Sequence, residues 1–192
     1  MNLHPGDALL LVDIQNDFLP GGSLAVPQGN QVVPVANRYL TLFQTYHLPV
    51  FATRDWHPPL HCSFQSQGGP WPPHCVAGTA GAGFPTGLHL SADTRIVSKA
   101  TTPERDAYSG FSGTGLDRLL KEAEIRRLFV VGLATDYCVL NTVKDALALG
   151  YSVCLLTDAI RAVENHPGDG ERAIAEMRGL GAVLLDFQAL QE

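Results

Sequence analysis

The sequence predicts an α/β fold, a three-layer α/β/α sandwich built on a mostly parallel six-stranded sheet. Three observations carry that expectation. Short apolar, β-rich runs alternate with segments of helical period along the whole chain. Several of the runs are continuously apolar rather than alternating, as strands covered on both faces require. Chemically capable residues also recur where the runs end, the edge at which open parallel sheets bind their ligands.

The first strand is expected over Ala8–Val12, which ends in the apolar run LLLV, and a helix over Val32–Tyr46 follows it. Pro49–Thr53 reads as the second strand and Arg95–Ser98 as the third. Leu116–Glu122 gives a short second helix. The fourth strand, Leu128–Gly132, lies inside RLFVVGL, and the Ala/Leu-rich stretch Val139–Leu149 after it carries the helical period. Ser152–Thr157 and Ala182–Leu185 supply the last two strands, with a helix over Asp169–Gly179 between them. Between Asp55 and Asp93 no element is expected. That stretch is rich in Gly, Pro, His and Ser and holds two Trp and two Cys, and loops of such length are usually functional or disordered. Its aromatic and histidine content favours function.

The 192 residues, 45% hydrophobic and 17% charged, suffice for one sizeable core, and a single domain over 1–192 is expected. No run approaches the roughly 18 apolar residues of a membrane span, and the N-terminal residues lack the cationic start of a signal peptide, so a cytoplasmic protein is expected. A net charge of -6 without basic clusters argues against nucleic acid or an anionic membrane as partner. The four cysteines read as thiols, because disulfide frameworks belong to small secreted chains.

Four residues fall at the predicted carboxyl edge: Asp13 after LLLV, Asp55 after VFATR, Lys99 after RIVS, and Cys138 just past LFVVGL. A cysteine at the start of a helix is exposed to the positive end of the helix dipole, which favours the nucleophilic thiolate. An ordinary thiol, with a pKa of about 8.5, still needs a proton acceptor and a nearby cation. Asp13 can be the first and Lys99 the second. Together they suit nucleophilic hydrolysis of an amide, with backbone N–H groups near Cys138 placed to receive the oxyanion.

His57 follows Asp55 by two residues, so in extended backbone both side chains project to one side, and His74 stands in the stiff segment WPPHC. One carboxylate and two imidazoles suit Zn²⁺, Fe²⁺ or Mn²⁺ with coordination positions left open. His61, Cys62 and Cys75 offer a rival, a closed structural zinc site, although their spacing is not the usual Cys-x₂-Cys.

Taken jointly, these segments resemble the nicotinamidase/pyrazinamidase branch of the isochorismatase-like cysteine hydrolases. The matching motifs are Asp13-Ile14-Gln15-Asn16-Asp17-Phe18 with the following GGSLAV, Asp55-Trp56-His57-Pro58, Trp71-Pro72-Pro73-His74-Cys75-Val76, Lys99, Ala107-Tyr108-Ser109-Gly110-Phe111, and GLATDYCV. They run in order over about three quarters of the chain. The resemblance implies a catalytic triad of Asp13, Lys99 and Cys138, metal ligands Asp55, His57 and His74, and His61 as a further ligand found in some members. It implies Phe18 and Trp71 as aromatic walls for a pyridine ring, and an oxyanion site formed by the N–H groups of Ala134 and Cys138 beside a Leu133-Ala134 bond that is cis in the family. Ala134 also belongs to the implied substrate site.

The implied activity is hydrolysis of nicotinamide to nicotinic acid and ammonia in NAD salvage, extending to pyrazinamide, with one divalent metal per chain, Zn²⁺ before Fe²⁺ or Mn²⁺. The implied state is a monomer or homo-oligomer. Two features depart from many relatives: Lys99 is followed by Ala-Thr-Thr-Pro-Glu-Arg-Asp, and Tyr137 precedes Cys138 where some have His. Three other readings compete. An amidase acting on N-carbamoyl compounds would not need the metal set, an isochorismatase would use no cysteine nucleophile, and a metal-storing or thiol-redox binding protein would show no turnover.

Overall fold

The computed structural model describes residues 2–191. Its strands are β1 (Asp7–Val12), β2 (Val50–Asp55), β3 (Arg95–Lys99), β4 (Arg127–Leu133), β5 (Ser152–Arg161) and β6 (Val183–Leu185). The helices are α1 (Val32–Thr45), α2 (Leu116–Glu122), α3 (Leu140–Ala148) and α4 (Asp169–Gly179). The strands form one sheet in the order β3-β2-β1-β4-β5-β6, and every neighbouring pair is parallel, where a mostly parallel sheet was expected.

Residue alternation along the central strands makes the three layers. Leu9 and Leu11 of β1 join Phe129 and Val131 of β4 against Tyr39, Leu40 and Phe43 of α1. Ala8, Leu10 and Val12 join Leu128 and Val130 on the other face, under Leu116 and Leu120 of α2, Val143 of α3 and Met177 of α4. Both faces are covered, so β1 and β4 carry apolar residues at nearly every position.

The chain order reverses between β1 and β4. At such a switch point the two loops leaving the strands diverge and open a crevice at the carboxyl edge. Gly132 lets the strands close up there. It has φ +126°, and a Cβ on it would lie 2.0 Å from the Val12 carbonyl oxygen, so no side chain fits. The β4–β5 register also shifts between Val130 and Gly132, a local bulge beside the crevice.

Most element ends fall within two residues of expectation, and two of the differences have a physical reason. β5 runs on to Arg161 instead of ending at Thr157, because Asp158 is satisfied inside the fold by the Tyr39 hydroxyl (2.6 Å) and the Phe187 N–H (3.2 Å). α3 begins at Leu140, after a wider π-helical turn over Thr135–Val139 in which the Ala134 carbonyl accepts from both Tyr137 and Val139. No helix among the described residues is long and apolar enough to cross a membrane.

The long stretch after β2 holds only one 3₁₀ turn (Gln65–Gln67) and short bridges, His57 to Val76 and Phe64 to Trp71. Many of its backbone polar groups pair within the stretch, as Trp71 N–H does with the Ser63 carbonyl and Ala77 N–H with His57, and the turn after β1 satisfies others: Asn16 N–H donates to the Gly83 carbonyl, Asp17 N–H to Gly81, and the Asn16 side-chain amide to Ala80.

Candidate active site

Asp13, Asp55, Lys99 and Cys138 converge at the crevice, each delivered by a different strand. Asp55 and Lys99 end β2 and β3 and stand opposite each other in the ladder, so their side chains leave on the same side. Asp13 directly follows β1, and Cys138 sits in the π-helical turn after β4. Asp13 and Lys99 are completely shut off from solvent, and Cys138 is 6% exposed.

The Lys99 ammonium is the hub. Its Nζ donates to Asp55 Oδ1 (2.5 Å), to the Ala107 carbonyl (3.0 Å) and to Cys138 Sγ (3.4 Å), and it lies 2.9 Å from Asp13 Oδ2. Three donated bonds use its three protons. Asp13 Oδ1 accepts from the Thr53 hydroxyl at 2.7 Å, whereas Oδ2, buried and charge-paired, receives no aimed hydrogen bond among the described residues. One acceptor beside the thiol is thereby left for a proton. An oxygen of Asp13, one of Asp55 and Cys138 Sγ all lie within 4.8 Å of one another.

The charges shape each other. Burial works against the Lys99 ammonium, but Asp13, Asp55 and Cys138 outweigh it and hold its pKa well above the usual lysine value. Burial raises Asp13 above an ordinary carboxylate, with Lys99 opposing. The expectation of a thiolate favoured by the helix dipole is corrected for the resting site: burial dominates at Cys138 and pushes the thiol well up, with Lys99 as the opposing influence.

One donor atom each from Asp55, His57 and His74 lies within 4.8 Å of the others, all three side chains buried, and Asp55 joins this set to Lys99. His57 Nδ1 donates to the His74 carbonyl (2.9 Å) and His74 Nδ1 to the Pro72 carbonyl (2.8 Å). With Nδ1 as donor, each Nε2 presents a lone pair. Burial first, then the neighbouring histidines and Lys99, lower the His57 pKa to about 3, so its imidazole is neutral. Carbonyl acceptors behind the rings fix the tautomer that metal-ligating histidines use, so the donors fit a divalent cation.

His61 stands differently. Its ring stacks on His57 with centroids 4.3 Å apart, and both nitrogens are engaged: Nδ1 with the Ser63 hydroxyl at 2.7 Å and Nε2 with the Arg105 carbonyl at 3.1 Å. Cys62 and Cys75 share no metal-competent cluster with it among the described residues; Asp106 does, along with His57.

Cys138, Asp55, His57 and His74 line one pocket, walled further by Phe18, Trp71, Tyr108, Tyr137 and Ala134. Phe18 meets the His74 ring, Trp71 meets Tyr137 edge-on at 5.1 Å, and the Trp71 indole N–H donates to the Tyr108 hydroxyl at 3.0 Å. The Leu133–Ala134 peptide bond is cis. Asp106, Tyr108, Tyr137 and Val163 line the pocket without having been assigned to it from sequence. For Tyr108 the signal was the AYSGF motif. Val163, beyond the end of β5, had none.

A family model for the isochorismatase domain matches residues 7–189. The chain belongs to the isochorismatase family. Within it, the nicotinamidase of Escherichia coli (strain K12) is 44% identical over 98% of each chain. Among solved structures, the pyrazinamidase of Pyrococcus horikoshii in complex with zinc superposes with a TM-score of 0.92 at 46% identity, covering 95% of this chain and all of that one. The L. infantum protein PnC1 in complex with nicotinate gives 0.89 at 41% identity, covering 97% of this chain and 95% of that one. These family members share the α/β architecture with the all-parallel six-stranded sheet.

Proposed function

We propose that this isochorismatase-family chain, as one domain, is a nicotinamidase, a cysteine hydrolase that converts nicotinamide to nicotinate and ammonia and also accepts pyrazinamide. The observation that carries the reading is the juxtaposition of the Cys138, Lys99 and Asp13 group with the Asp55, His57 and His74 donors at one aromatic pocket. The relatives named nicotinamidase and pyrazinamidase support it.

The pocket orders the substrate as a flat ring between Phe18 and Trp71, with its carboxamide toward Cys138. Asp13 takes the thiol proton on Oδ2 as sulfur bonds to the amide carbon, and the oxyanion that forms is received by the Ala134 and Cys138 N–H groups. The tetrahedral adduct collapses. The carbon–nitrogen bond breaks as Asp13 returns the proton to nitrogen, and ammonia leaves a thioester on Cys138. Water then attacks the thioester, giving a proton to Asp13, which passes it to sulfur as the carbon–sulfur bond breaks. Lys99 compensates the charge on Asp13 and on sulfur throughout, through its contacts with both. A divalent ion, zinc first, would be held by Asp55, His57 and His74 and would supply a Lewis-acidic position suited to the ring nitrogen.

The test is ammonia and nicotinate release from nicotinamide, before and after chelation and with metal restored. The expected result is stoichiometric release that chelation abolishes and zinc restores. Release undiminished after complete metal removal would overturn the role of the donor set, and no release from metal-replete protein would overturn the function. An N-carbamoyl substrate tested in parallel should be turned over far more slowly.

A further inference from the structure

We infer that Gln15 and Asp17 are positioning residues that hold the backbone of the metal donors in place, so that the turn carrying the catalytic Asp13 also assembles the Asp55/His57/His74 set. The inference rests on the assignment of those three donors. Neither Gln15 nor Asp17 touches substrate or donor atoms; each acts through a peptide.

The need for Gln15 arises from where β1 stops. Asp55 ends β2, but the chain leaves β1 at Val12 and turns away at Asp13, whose φ is +48°. Asp55 in a parallel ladder would face a missing peptide on that side. The Gln15 amide takes its place: Oε1 accepts the Asp55 N–H at 2.7 Å, and Nε2 donates to the Asp55 carbonyl at 2.8 Å and to the Ala82 carbonyl at 2.9 Å. All of the Gln15 amide protons and its oxygen are used, and the side chain is fully buried. A carboxylate of the same length could accept one bond but would set oxygen against two carbonyl oxygens.

Asp17 does the same for the second donor. Its Oδ2 accepts the Cys75 N–H at 2.7 Å, the peptide that joins Cys75 to His74, and its Oδ1 faces the Ser23 N–H at 3.2 Å. Gly81 makes the room, since a Cβ there would lie 2.2 Å from Asp17 Oδ2. The third donor needs no clamp from the turn, because His57 is tied to the His74 carbonyl through its own Nδ1. Asn16, between the two, reaches only the Ala80 carbonyl with its side chain and supports the same loop without gripping a donor residue.

The experiment titrates metal-stripped protein with Co²⁺ and follows the ligand-field absorption bands, comparing wild type with Gln15→Glu, Asp17→Asn and Asn16→Ala, well below each melting temperature. Gln15→Glu and Asp17→Asn should weaken Co²⁺ by about tenfold or more, the usual cost of losing an outer-shell partner, and alter the band pattern. Asn16→Ala should melt earlier yet keep its affinity within about twofold. Unchanged affinity in both clamp variants overturns the inference, as does an equal loss in Asn16→Ala, which would mark a general effect of loop stability. If Gln15→Glu fails to fold, Asp17→Asn decides. Wild-type protein that binds no Co²⁺ would instead overturn the donor set itself.

Discussion

Cys138 shows how a single residue's chemistry depends on burial more than on its place in the chain. The strand-to-helix position suggested a lowered thiol pKa, yet the enclosed site raises it, and Asp13, itself raised by burial, must take the proton within the site. The pH dependence follows with a definite sign. Protonating Asp13 removes the acceptor, so kcat/KM should fall as pH drops through a value above the ordinary carboxylate range of about 4. No rise should appear through the ordinary thiol range near 8.5, because the proton goes to Asp13 and not to solvent. A pH–rate profile from 4 to 10 checks this, and a rise centred near 8.5 would show a solvent-ionised thiolate instead. Cys138→Ala should lower turnover by at least about 10³-fold with little change in melting temperature. Cys62, Cys75 and Cys154 variants should retain activity. His57→Ala or His74→Ala should bring bound metal, measured by elemental analysis, well below one equivalent, since two donors hold a divalent ion poorly.

Among the elements, the central strands were legible because buried parallel strands need unbroken apolar runs, and LLLV and RLFVVGL have no good alternative, whereas RIVS, on the half-exposed edge strand, was legible from the alternation of strands and helices. The reacting groups were legible for the same reason, being polar residues at the ends of those runs. The long segment after β2 was not, because several of the bonds that tether it to the sheet come from side chains far away in sequence: Gln15 reaches Asp55 and Ala82 across 40 and 67 residues, and Asp17 reaches Cys75 across 58. No local period records such bonds. Gly132 lies between these cases, since a glycine in RLFVVGL hints at a bulge or close approach but only the structure names Val12 as the neighbour. Gly132→Ala should therefore destabilise the fold by more than the roughly 1 kcal/mol of a simple glycine substitution, because φ is positive and the β1 backbone cannot yield. Denaturant unfolding measures it. A loss below that figure would show that β4 shifts freely at its carboxyl end.

Over the whole molecule, function and cohesion occupy opposite ends of the same two strands. The loops that leave the carboxyl ends of β1 and β4 diverge to form the site, and the amino ends of the strands are pinned by Asp7 and Arg127, which are paired in the ladder and joined by two bonds, Nε to Oδ1 at 2.8 Å and Nη2 to Oδ2 at 2.6 Å. The Asp7 side chain is 5% exposed, so removing its partner strands a buried carboxylate. Arg127 is 22% exposed, which tempers the loss. Arg127→Met keeps much of the stem but not the charge, and should cost about 2–4 kcal/mol, or on the order of 5–15 °C in melting temperature for a domain of this size. Because the change lies at the far end of the sheet from Cys138, kcat and KM for nicotinamide measured at 20 °C should stay within about twofold of wild type. Thermal melts and steady-state kinetics on the same preparation separate the two effects. A fall in kcat that parallels the fall in stability would mean that the site depends on tension along β1 and β4, and that the two ends of the sheet are not independent.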